Sequence, residues 1–308
     1  MILTVTFNPA VDHTLRIEES PQVGRVHRAT EGGQFDAGGK GINVSQYLAA
    51  LDSDTVATGL LGGFTGDFIR SKLSDEPFET TFVDVPAPTR VNTTILTADG
   101  EYKFNENGPK ATEAAVDELL QWIEALRPNR VAVAGSLPPG IGPDAIDRIA
   151  RAGPWKTDVD VGGKMLTNLA AAYDTCKPNE EELAAAVDRE IADVDDAVMA
   201  ARELLNRGYD RVVTSLGSEG AVLVTPDVSL YAEAVDTEVI DTVGAGDSLF
   251  AGVLSALERG LSEREALKTG IAVAGRVVAT AGTSPPSFED LESLRDEVDV
   301  RSVPLASD

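Results

Sequence analysis

The chain has little of several residue types on which common functional sites depend. Among its 308 residues there are one cysteine, Cys176, and two histidines, His13 and His27. A single cysteine excludes an intrachain disulfide and a cysteine-based metal cluster, and the two histidines lack a zinc-binding spacing. The sequence therefore excludes a disulfide-stabilised domain and indicates no zinc site.

Long apolar runs are also missing. The best candidate, residues 270–282, is shorter than the roughly 20 residues needed to cross a bilayer, and it contains Arg276. Residues 1–10 have neither the basic segment nor the cleavage site of a signal peptide, and they are typical of a first core strand. These features predict a cytoplasmic protein without a membrane partner.

Basic residues are scarce relative to acidic ones. The chain has 51 Asp and Glu against 26 Lys and Arg, for a formal net charge of −25. A field of this sign repels nucleic acids and anionic membranes, so neither is expected as a partner. The hydrophobic share of 43% is that of an ordinary globular core. Together with the acidic surplus it favours a halophilic surface, adapted to high salt, with an acidic mesophilic enzyme as the alternative.

Strand and helix patterns alternate along most of the chain. Short apolar runs at 2–7, 55–61 and 130–134 predict buried strands, and the apolar period of 112–126 is typical of a helix. Strands separated by helices indicate an α/β protein with a mostly parallel central sheet covered on both faces.

Two stretches depart from this alternation. Residues 12–35 and 82–104 have a β-like pattern with no helix between their strands, which predicts a small β lid. A final helix is predicted from Ser262 to Gly282, and roughly the last 20 residues of the chain, rich in Ser, Asp and Glu, are expected to fray. Because no repeat or linker is visible, residues 1–308 are predicted to form a single domain that contains the lid.

The most informative motif is residues 241–248 (DTVGAGDS), where two glycines lead directly into an apolar helix. A glycine turn at a helix N-terminus presents free backbone N–H groups and the positive end of the helix dipole at one place, which suits an anion. Asp247 lies in the first turn, where it can accept the proton of a hydroxyl that attacks a phosphoryl group held there. The alternative is an ordinary helix cap.

A second glycine-rich segment, residues 37–43 (AGGKGIN), also precedes a helix. It is not a P-loop, because the required first glycine is missing and a glycine follows Lys40 where Ser or Thr is needed. The segment instead predicts a glycine bend that lets a ligand approach the backbone, with Lys40 and Asn43 projecting over it. A surface turn with an exposed lysine is the alternative.

Three weaker signals lie elsewhere. In residues 177–182 (KPNEEE), Asn179 and Glu182 are spaced to face one way and could bind a hydrated magnesium ion, although an acidic helix start explains them equally. Residues 89–92 (TRVN) place an arginine and an amide in the predicted lid. Residues 215–220 (SLGSEG) follow a buried strand and could approach the phosphates of a nucleotide.

Together these segments resemble the ribokinase-like (PfkB) family of carbohydrate kinases, over about residues 1–290. The segments at 241–247 and 38–43 are similar to the two signatures of the family, in the same order. The members that phosphorylate fructose 1-phosphate are the most similar ones, in segments 6–12, 36–45, 89–92 and 135–140. The resemblance implies a ribokinase-like three-layer α/β/α sandwich with a small β lid, paired through the lids into a homodimer.

The resemblance also implies roles for individual residues. Asp247 matches the catalytic base of the family. The anion hole of the family is matched by Gly244, Ala245 and Gly246. The matches to sugar-phosphate contacts are Asp12, Gly38, Gly39, Lys40, Asn43, Arg90 and Asn92. The matches on the ATP side are Lys177, Asn179, Ser215, Gly217, Gly220 and Gly246, and Asn179 with Glu182 matches a motif that holds Mg2+ through water. Residues 160–163 (DVGG) depart from the family, which commonly has a serine there.

Lys40 and Arg90 distinguish between substrate classes, because an acceptor site with two cations suits a phosphorylated sugar better than a neutral one. The sequence thus predicts an ATP- and Mg2+-dependent kinase that phosphorylates fructose 1-phosphate at the 6-hydroxyl, giving fructose 1,6-bisphosphate and ADP. Fructose 6-phosphate and tagatose 6-phosphate are the alternative acceptors. A non-catalytic sugar-phosphate sensor is disfavoured because Asp247 is retained.

Overall fold

The computed structural model describes residues 1–280 and 284–304. The strands in this part of the chain are β1 (Ile2–Thr6), β2 (Ala10–Arg16), β3 (Gln34–Gly38), β4 (Thr55–Leu61), β5 (Glu79–Asp84), β6 (Arg90–Thr97), β7 (Gly100–Phe104), β8 (Arg130–Ala134), β9 (Lys156–Asp160), β10 (Tyr173–Cys176), β11 (Tyr209–Ser215), β12 (Ala221–Val224), β13 (Ser229–Ala232) and β14 (Val300–Ser302). The α-helices are α1 (Lys40–Ala50), α2 (Gly63–Leu73), α3 (Glu113–Leu126), α4 (Asp144–Ala152), α5 (Gly163–Leu166), α6 (Glu180–Val187), α7 (Val194–Leu205), α8 (Ala245–Glu258), α9 (Glu263–Val278) and α10 (Leu291–Glu297).

The central sheet has ten strands in the order β14-β13-β12-β11-β10-β9-β8-β1-β4-β5. Neighbouring strands from β5 to β11 are parallel, and β12, β13 and β14 continue the sheet with antiparallel pairs. The prediction of a mostly parallel sheet is confirmed. The parallel strands all end at one edge, which is where open sheets of this type bind ligands.

Helices cover both faces of this sheet. Along β1 the side chains alternate between the faces: Ile2 belongs to an apolar cluster with residues of α1 and α8, whereas Leu3 belongs to a cluster that includes α3 and α4. The result is the predicted α/β/α sandwich. None of the described helices is long and apolar enough to cross a membrane.

A second, four-stranded sheet in the order β3-β2-β6-β7 is the predicted β lid. Its strands lie largely within or next to the predicted stretches 12–35 and 82–104, but parts of those stretches do not belong to it. Residues 17–33 form no strand, and Phe82 belongs to β5, where it pairs with Gly59 of the central sheet. The alternation that predicts a strand is the same in both sheets, so the pattern does not reveal which sheet a strand joins.

The C-terminal part of the chain differs from its prediction. Ser262 caps α9 as expected, accepting a hydrogen bond from the backbone N–H of Glu265. The helix ends at Val278, and its predicted end, Gly282, lies outside the described residues. The prediction that roughly the last 20 residues fray is wrong for 291–302, which contain α10 and the edge strand β14. Strand β14 gains ladder hydrogen bonds from β13.

Helix α8 is buried along most of its length and packs closely against α9. A Cβ atom added to Gly252 of α8 would lie 2.9 Å from Cα of Gly270 of α9, so the two helices touch through their backbones at this point. This close contact fixes the position of α8 and, with it, the loop and first turn that contain residues 241–248.

Candidate active site

The segments singled out in the sequence meet at the carboxyl edge of the parallel strands. Lys40 begins α1 and Asp247 lies in the first turn of α8. From the sheet come Asp160, the last residue of β9, Lys177, which follows β10, and Ser215, the last residue of β11. Two helix N-termini and three strand ends thus surround one cleft.

The glycine turn before α8 has the conformation that its sequence suggests. Gly244, the residue preceding the helix, has a φ of 77° and lies against Tyr47, whose hydroxyl oxygen would be 2.4 Å from an added Cβ atom. Both the backbone angle and the close contact require glycine here. Gly244 has no side chain to cap the helix. The backbone N–H of Ala245 donates to the Thr242 carbonyl at 3.3 Å, whereas those of Gly246 and Asp247 have no partner among the described residues and are available to a ligand.

Asp247 is held by a residue of the other glycine-rich segment. Its side chain is buried, and Oδ2 accepts a hydrogen bond of 2.7 Å from Nδ2 of Asn43 in α1. Burial raises the pKa of Asp247 to about 6, and the negative charge of Asp160 adds to the effect, against the opposing influence of Lys40, Asn43 and Lys177. The carboxyl group is therefore able to exchange a proton near neutral pH.

Asp160 joins the two sides of the cleft, and no sequence pattern had marked it as a site residue. Its carboxylate is fully buried, with Oδ1 2.9 Å from Nζ of Lys40 and Oδ2 3.2 Å from Nζ of Lys177. Burial alone would raise the pKa of Asp160, but the two ammonium groups, Lys177 first, hold that pKa below its usual value. The sequence signal that could have found it is an aspartate at the end of a buried strand, because a charged side chain is buried almost only when it has a partner of opposite charge.

Lys40 keeps part of its side chain open to the cleft. The side chain is 38% exposed, and Nζ lies 3.9 Å from Glu182 in addition to its contact with Asp160. Burial would lower the pKa of Lys40, but the carboxylates of Asp160 and Glu182 outweigh burial and raise that pKa. Lys40 is therefore a permanent cation beside the cleft.

The lid and the second glycine-rich segment meet at Asp12. The Asp12 carboxylate lies where a side chain at Gly38 would be, because an added Cβ atom would come within 1.9 Å of Oδ2. Oδ1 of Asp12 accepts a hydrogen bond of 3.0 Å from Nδ2 of Asn92. Burial raises the pKa of Asp12, although Asn92 and Arg90 oppose it. Gly39, with a φ of 130°, turns the chain from β3 into α1.

Arg90 is tied to the backbone at the base of the lid. Its Nη2 donates to the carbonyl oxygen of Asn8 at 2.9 Å, and its Nη1 donates to the carbonyl oxygen of Glu106 at 2.9 Å. Each of these nitrogens has a second N–H group, for which no partner occurs among the described residues. Arg90 therefore holds β6 against the end of β1 and still has donors for a ligand.

Asn179 and Glu182 form a capping box at the start of α6. The side-chain oxygen of Asn179 accepts from the backbone N–H of Glu182 at 2.7 Å, and Oε2 of Glu182 accepts from the backbone N–H of Asn179 at 2.9 Å. The helix-start alternative is thus realised. Oε1 of Glu182 remains directed toward the Lys40 side of the cleft, where a hydrated cation can contact it. Within residues 1–280 and 284–304, no three acidic, His or Cys side chains cluster as a metal site.

The loop after β11 lies next to this capping box. Ser215 pairs with Asn179 as an isolated parallel bridge, and its backbone N–H donates to the Pro178 carbonyl at 3.3 Å. Gly217 and Gly220, with φ values of 59° and 101°, shape the turn that follows. On the opposite side, a Cβ atom added to Gly246 would lie 3.4 Å from Nζ of Lys177. Of the predicted ATP-side residues, Ser215 thus lies beside Asn179 and Gly246 beside Lys177.

A cavity of about 190 Å³ extends from the acceptor side. It is bounded by predicted site residues, namely Asp12, Asn43 and Gly244, and by residues that the sequence did not single out, including Tyr47, Lys72 and Glu76. Helix α2, which contributes Lys72, was not predicted, and so this wall of the cavity was missed.

The chain matches known proteins over nearly its whole length. Residues 5–290 match the profile of the pfkB family of carbohydrate kinases. The 1-phosphofructokinase of Haloferax volcanii is 52% identical over 98% of this chain and 99% of the relative, and the D-tagatose-1-phosphate kinase of Bacillus licheniformis is 35% identical over 87% and 89%. A crystal structure of phosphofructokinase-2 from Escherichia coli in complex with potassium aligns with a TM-score of 0.89 at 29% identity, covering 96% of this chain and 98% of that one.

Proposed function

The chain belongs to the pfkB family of carbohydrate kinases, and from this premise we propose that it transfers the γ-phosphoryl group of ATP to the 6-hydroxyl of fructose 1-phosphate. The products are fructose 1,6-bisphosphate and ADP. The observation that carries the proposal is Asp247, a buried carboxyl group with a pKa of about 6, at an open helix N-terminus beside two lysines. Because ATP is the co-substrate, we propose a cytoplasmic location. We also propose that the chain forms one kinase domain that includes the lid.

Asp247 is the general base in this proposal. Its carboxylate accepts the proton of the 6-hydroxyl as the hydroxyl oxygen attacks the γ-phosphorus and the bond to the bridging oxygen of ADP breaks. Asn43 donates to Oδ2 and so orients the carboxylate, leaving Oδ1 to receive the proton. The low exposure of Asp247 limits competition from water for this proton.

The charge of the transferred group is matched by fixed positive partners. We assign the anion hole to the turn at Gly244, Ala245 and Gly246, where the backbone N–H of Gly246 has no partner among the described residues, and the helix dipole of α8 adds to its effect. Lys177, held beneath Gly246, neutralises phosphate charge on the ATP side. Ser215 lies beside Asn179, and Gly217 and Gly220, in the turn that follows, would let the nucleotide phosphates approach the backbone.

Magnesium is the proposed cofactor. Asn179 and Glu182 would hold it through water, which fits the oxygen ligands and retained waters that this ion prefers. When bound, Mg2+ neutralises charge on the ATP phosphates. The single side-chain oxygen of Asn179 and Oε2 of Glu182 close the capping box, which fixes both side chains and leaves Oε1 of Glu182 for the hydrated ion.

The acceptor side binds the sugar phosphate. Asp12 and Asn43, with backbone at Gly38 and Gly39, contact the sugar hydroxyls, and Asn92 orients Asp12. Lys40 and the remaining N–H groups of Arg90 bind the phosphate that the sugar already has. A phosphate between an ammonium and a guanidinium gains charge-assisted hydrogen bonds that a neutral sugar does not offer.

A second candidate acceptor is tagatose 1-phosphate, because one relative is a kinase for that compound. The test is ADP release measured with fructose, fructose 1-phosphate, fructose 6-phosphate, tagatose 1-phosphate and tagatose 6-phosphate at equal concentrations. We expect the highest kcat/KM with fructose 1-phosphate. A preference for free fructose would contradict the role of Lys40 and Arg90, and ADP release with none of the five sugars would contradict the kinase proposal.

We also propose that two copies pair through their lids. The lid exposes large apolar side chains, with Phe35 44%, Tyr102 40% and Phe104 57% exposed. A four-stranded sheet with one uncovered apolar face is more stable when a second copy covers that face. Sedimentation equilibrium should give twice the chain mass, and replacing Phe104 with Glu should give the mass of one chain.

A further inference from the structure

We propose that Asp160, the buried last residue of β9, is a positioning residue that holds Lys40 and Lys177 in place across the cleft and sets the electrostatic surroundings of Asp247. The inference rests on the proposed function, since it assigns Lys40 to the acceptor phosphate and Lys177 to the ATP side. Asp160 itself contacts neither substrate in this proposal.

The geometry makes Asp160 the link between two parts of the chain. Lys40 begins α1, and Lys177 follows β10. Each ammonium group lies against a different oxygen of the same carboxylate, at 2.9 Å for Lys40 and 3.2 Å for Lys177. Among the described residues, Asp160 provides the one carboxylate within 4.0 Å of Nζ of Lys177. The distance between the two lysines is therefore determined by one side chain.

Burial explains why the link is needed. The Lys177 side chain is 3% exposed and that of Asp160 is 0% exposed. A buried ammonium group without a partner is strongly unfavourable, and two neighbouring ammonium groups also repel each other. With Asp160 between them the three side chains have a net charge of +1, which remains available to phosphate groups. Without Asp160 we expect Lys40, the more exposed lysine, to turn toward solvent and toward Glu182.

The same carboxylate acts on Asp247. The groups that face Asp247 are Lys40, Asn43 and Tyr47 from α1, Asp160 from β9, and Lys177 after β10. Asp160 is the acidic member of this set, and a nearby negative charge disfavours a second ionised carboxylate. Asp160 therefore raises the pKa of Asp247, which makes Asp247 a stronger base. In return, a smaller fraction of Asp247 is ionised at low pH.

The test compares Asp160→Asn with Asp158→Asn. Both aspartates are fully buried on β9, two residues apart, but Asp158 is the middle residue of the strand and pairs with Arg130 at 2.5 Å rather than with the two lysines. For Asp160→Asn we expect the acidic limb of the kcat profile to move to lower pH by about one unit, and the KM for the sugar phosphate to rise about tenfold. For Asp158→Asn we expect a lower Tm and an unmoved acidic limb.

A measurement that needs no substrate separates the two levels of the proposal. The pKa of Asp247 can be followed by carbon NMR of its carboxyl group in the substrate-free protein, with Asp247→Asn used to assign the signal. A lower Asp247 pKa in Asp160→Asn, together with no kinase activity in the wild type, would overturn the proposed function and support the positioning role. An unchanged pKa and an unmoved acidic limb in a folded Asp160→Asn protein would overturn the positioning role.

If Asp160→Asn does not fold, Lys40→Met also tests whether the charge cluster acts on Asp247. The expected shift in the pKa of Asp247 then has the opposite sign. Removing this cation should raise the pKa of Asp247, because Lys40 opposes the effect of Asp160. The acidic limb of the kcat profile should then move to higher pH. An unmoved limb in the Lys40→Met protein would show that the cluster does not act on Asp247.

Discussion

Strand β9 takes part in two buried charge clusters, one through its middle residue on the side of its amino end and one at its carboxyl end, and the two clusters have opposite compositions. At the amino end the Arg130 guanidinium, 1% exposed, contacts Asp158 at 2.5 Å and Asp174 at 2.9 Å. At the carboxyl end one carboxylate, Asp160, contacts two ammonium groups, those of Lys40 and Lys177. The first cluster is a cation between two anions, and the second is an anion between two cations.

The surroundings of the two clusters differ more than their burial does. At the amino end Arg211 and Lys156 also contact Asp174, so its charge is met from several sides. Burial would raise the pKa of Asp174, but Arg130, Arg211 and Lys156 outweigh burial and lower that pKa to about 2. At the carboxyl end a glycine turn and a helix N-terminus adjoin the cluster, and the nearby Asp247 has its pKa raised to about 6. Buried charge therefore does not by itself identify a functional site. A functional site is indicated when buried charge lies beside open backbone N–H groups and a carboxyl group whose pKa is near neutrality.

Among substitutions that test this comparison between the two clusters, Asp247→Asn should have the largest effect, and the effect is on kcat. The amide keeps the shape of the carboxylate but cannot accept the proton, so we expect kcat to fall about 10²–10⁴-fold while the nucleotide Kd changes little. Stopped assays of kcat and calorimetric titration with ATP measure the two quantities. Asp195→Asn, in the exposed first turn of α7, is the matched control and should retain wild-type kcat. Loss of less than tenfold in kcat would contradict the base assignment.

The pH profile tests the same residue without a substitution. Asp247 must be ionised to act as a base, so kcat should fall as the pH drops through about 6. The sign for stability is the opposite. Because the folded-state pKa is above the value of about 3.9 of an unfolded aspartate, the burial of Asp247 reduces stability as the pH rises from about 4 to 6. Asp247→Asn should remove both dependences.

The amino-end cluster should affect stability and leave catalysis unchanged. Arg130→Met leaves the fully buried carboxylate of Asp158 without its cation, and we expect the free energy of unfolding to fall by about 3–5 kcal/mol. Arg148→Met is the control, because Arg148 is 35% exposed in its pairs with Glu113 and Asp117 and should cost about 1 kcal/mol or less. Denaturant titrations give both values. A kcat of the folded Arg130→Met protein well below wild type would show that the two ends of β9 are not independent.

A smaller effect is expected from the acceptor-side cations. Lys40→Ala should raise the KM for the sugar phosphate about 10–100-fold and leave the KM for ATP nearly unchanged, because one charge-assisted contact is lost. Arg90→Ala should do the same and also lower Tm, since Arg90 links the lid to the carbonyl of Asn8. Free fructose, which has no phosphate, is the control substrate and should show no change between Lys40→Ala and wild type. A selective loss of ATP affinity would place Lys40 on the other side of the cleft.

The smallest effect is the response to salt, which also separates buried from surface charge. With a net charge of −25, repulsion across the surface acts over a Debye length of roughly 30 Å at 0.01 M salt and about 3 Å at 1 M. We expect Tm to rise by several degrees between these conditions, as it would in a protein adapted to high salt. The difference in stability between wild type and Arg130→Met should change little, because the side chains of Arg130 and Asp158 are 1% and 0% exposed. Equal Tm values at both salt concentrations would contradict the high-salt interpretation.

The elements that were predicted well are those that local pattern determines. The strands Thr55–Leu61 and Arg130–Ala134 have the predicted bounds, because short apolar runs of that length, containing β-branched residues, favour buried strands. The missed elements depend on distant partners. β14 has only three residues and exists because β13 offers it hydrogen bonds, and Phe82 lies in the central sheet because β4 is its neighbour.

The sequence by itself determined the alternation of strands and helices, the glycine turn before α8 and the place of Asp247 in its first turn, because each depends on neighbouring residues alone. Tertiary structure decided which charges meet. Lys40 and Asp160 are 120 positions apart, and the order of strands in the sheet brings them to 2.9 Å. Interactions between charges depend on distance and burial, and the pairing of distant strands sets both. The same residues therefore showed a candidate base in the sequence, and only the fold showed the carboxylate and the two lysines that surround it.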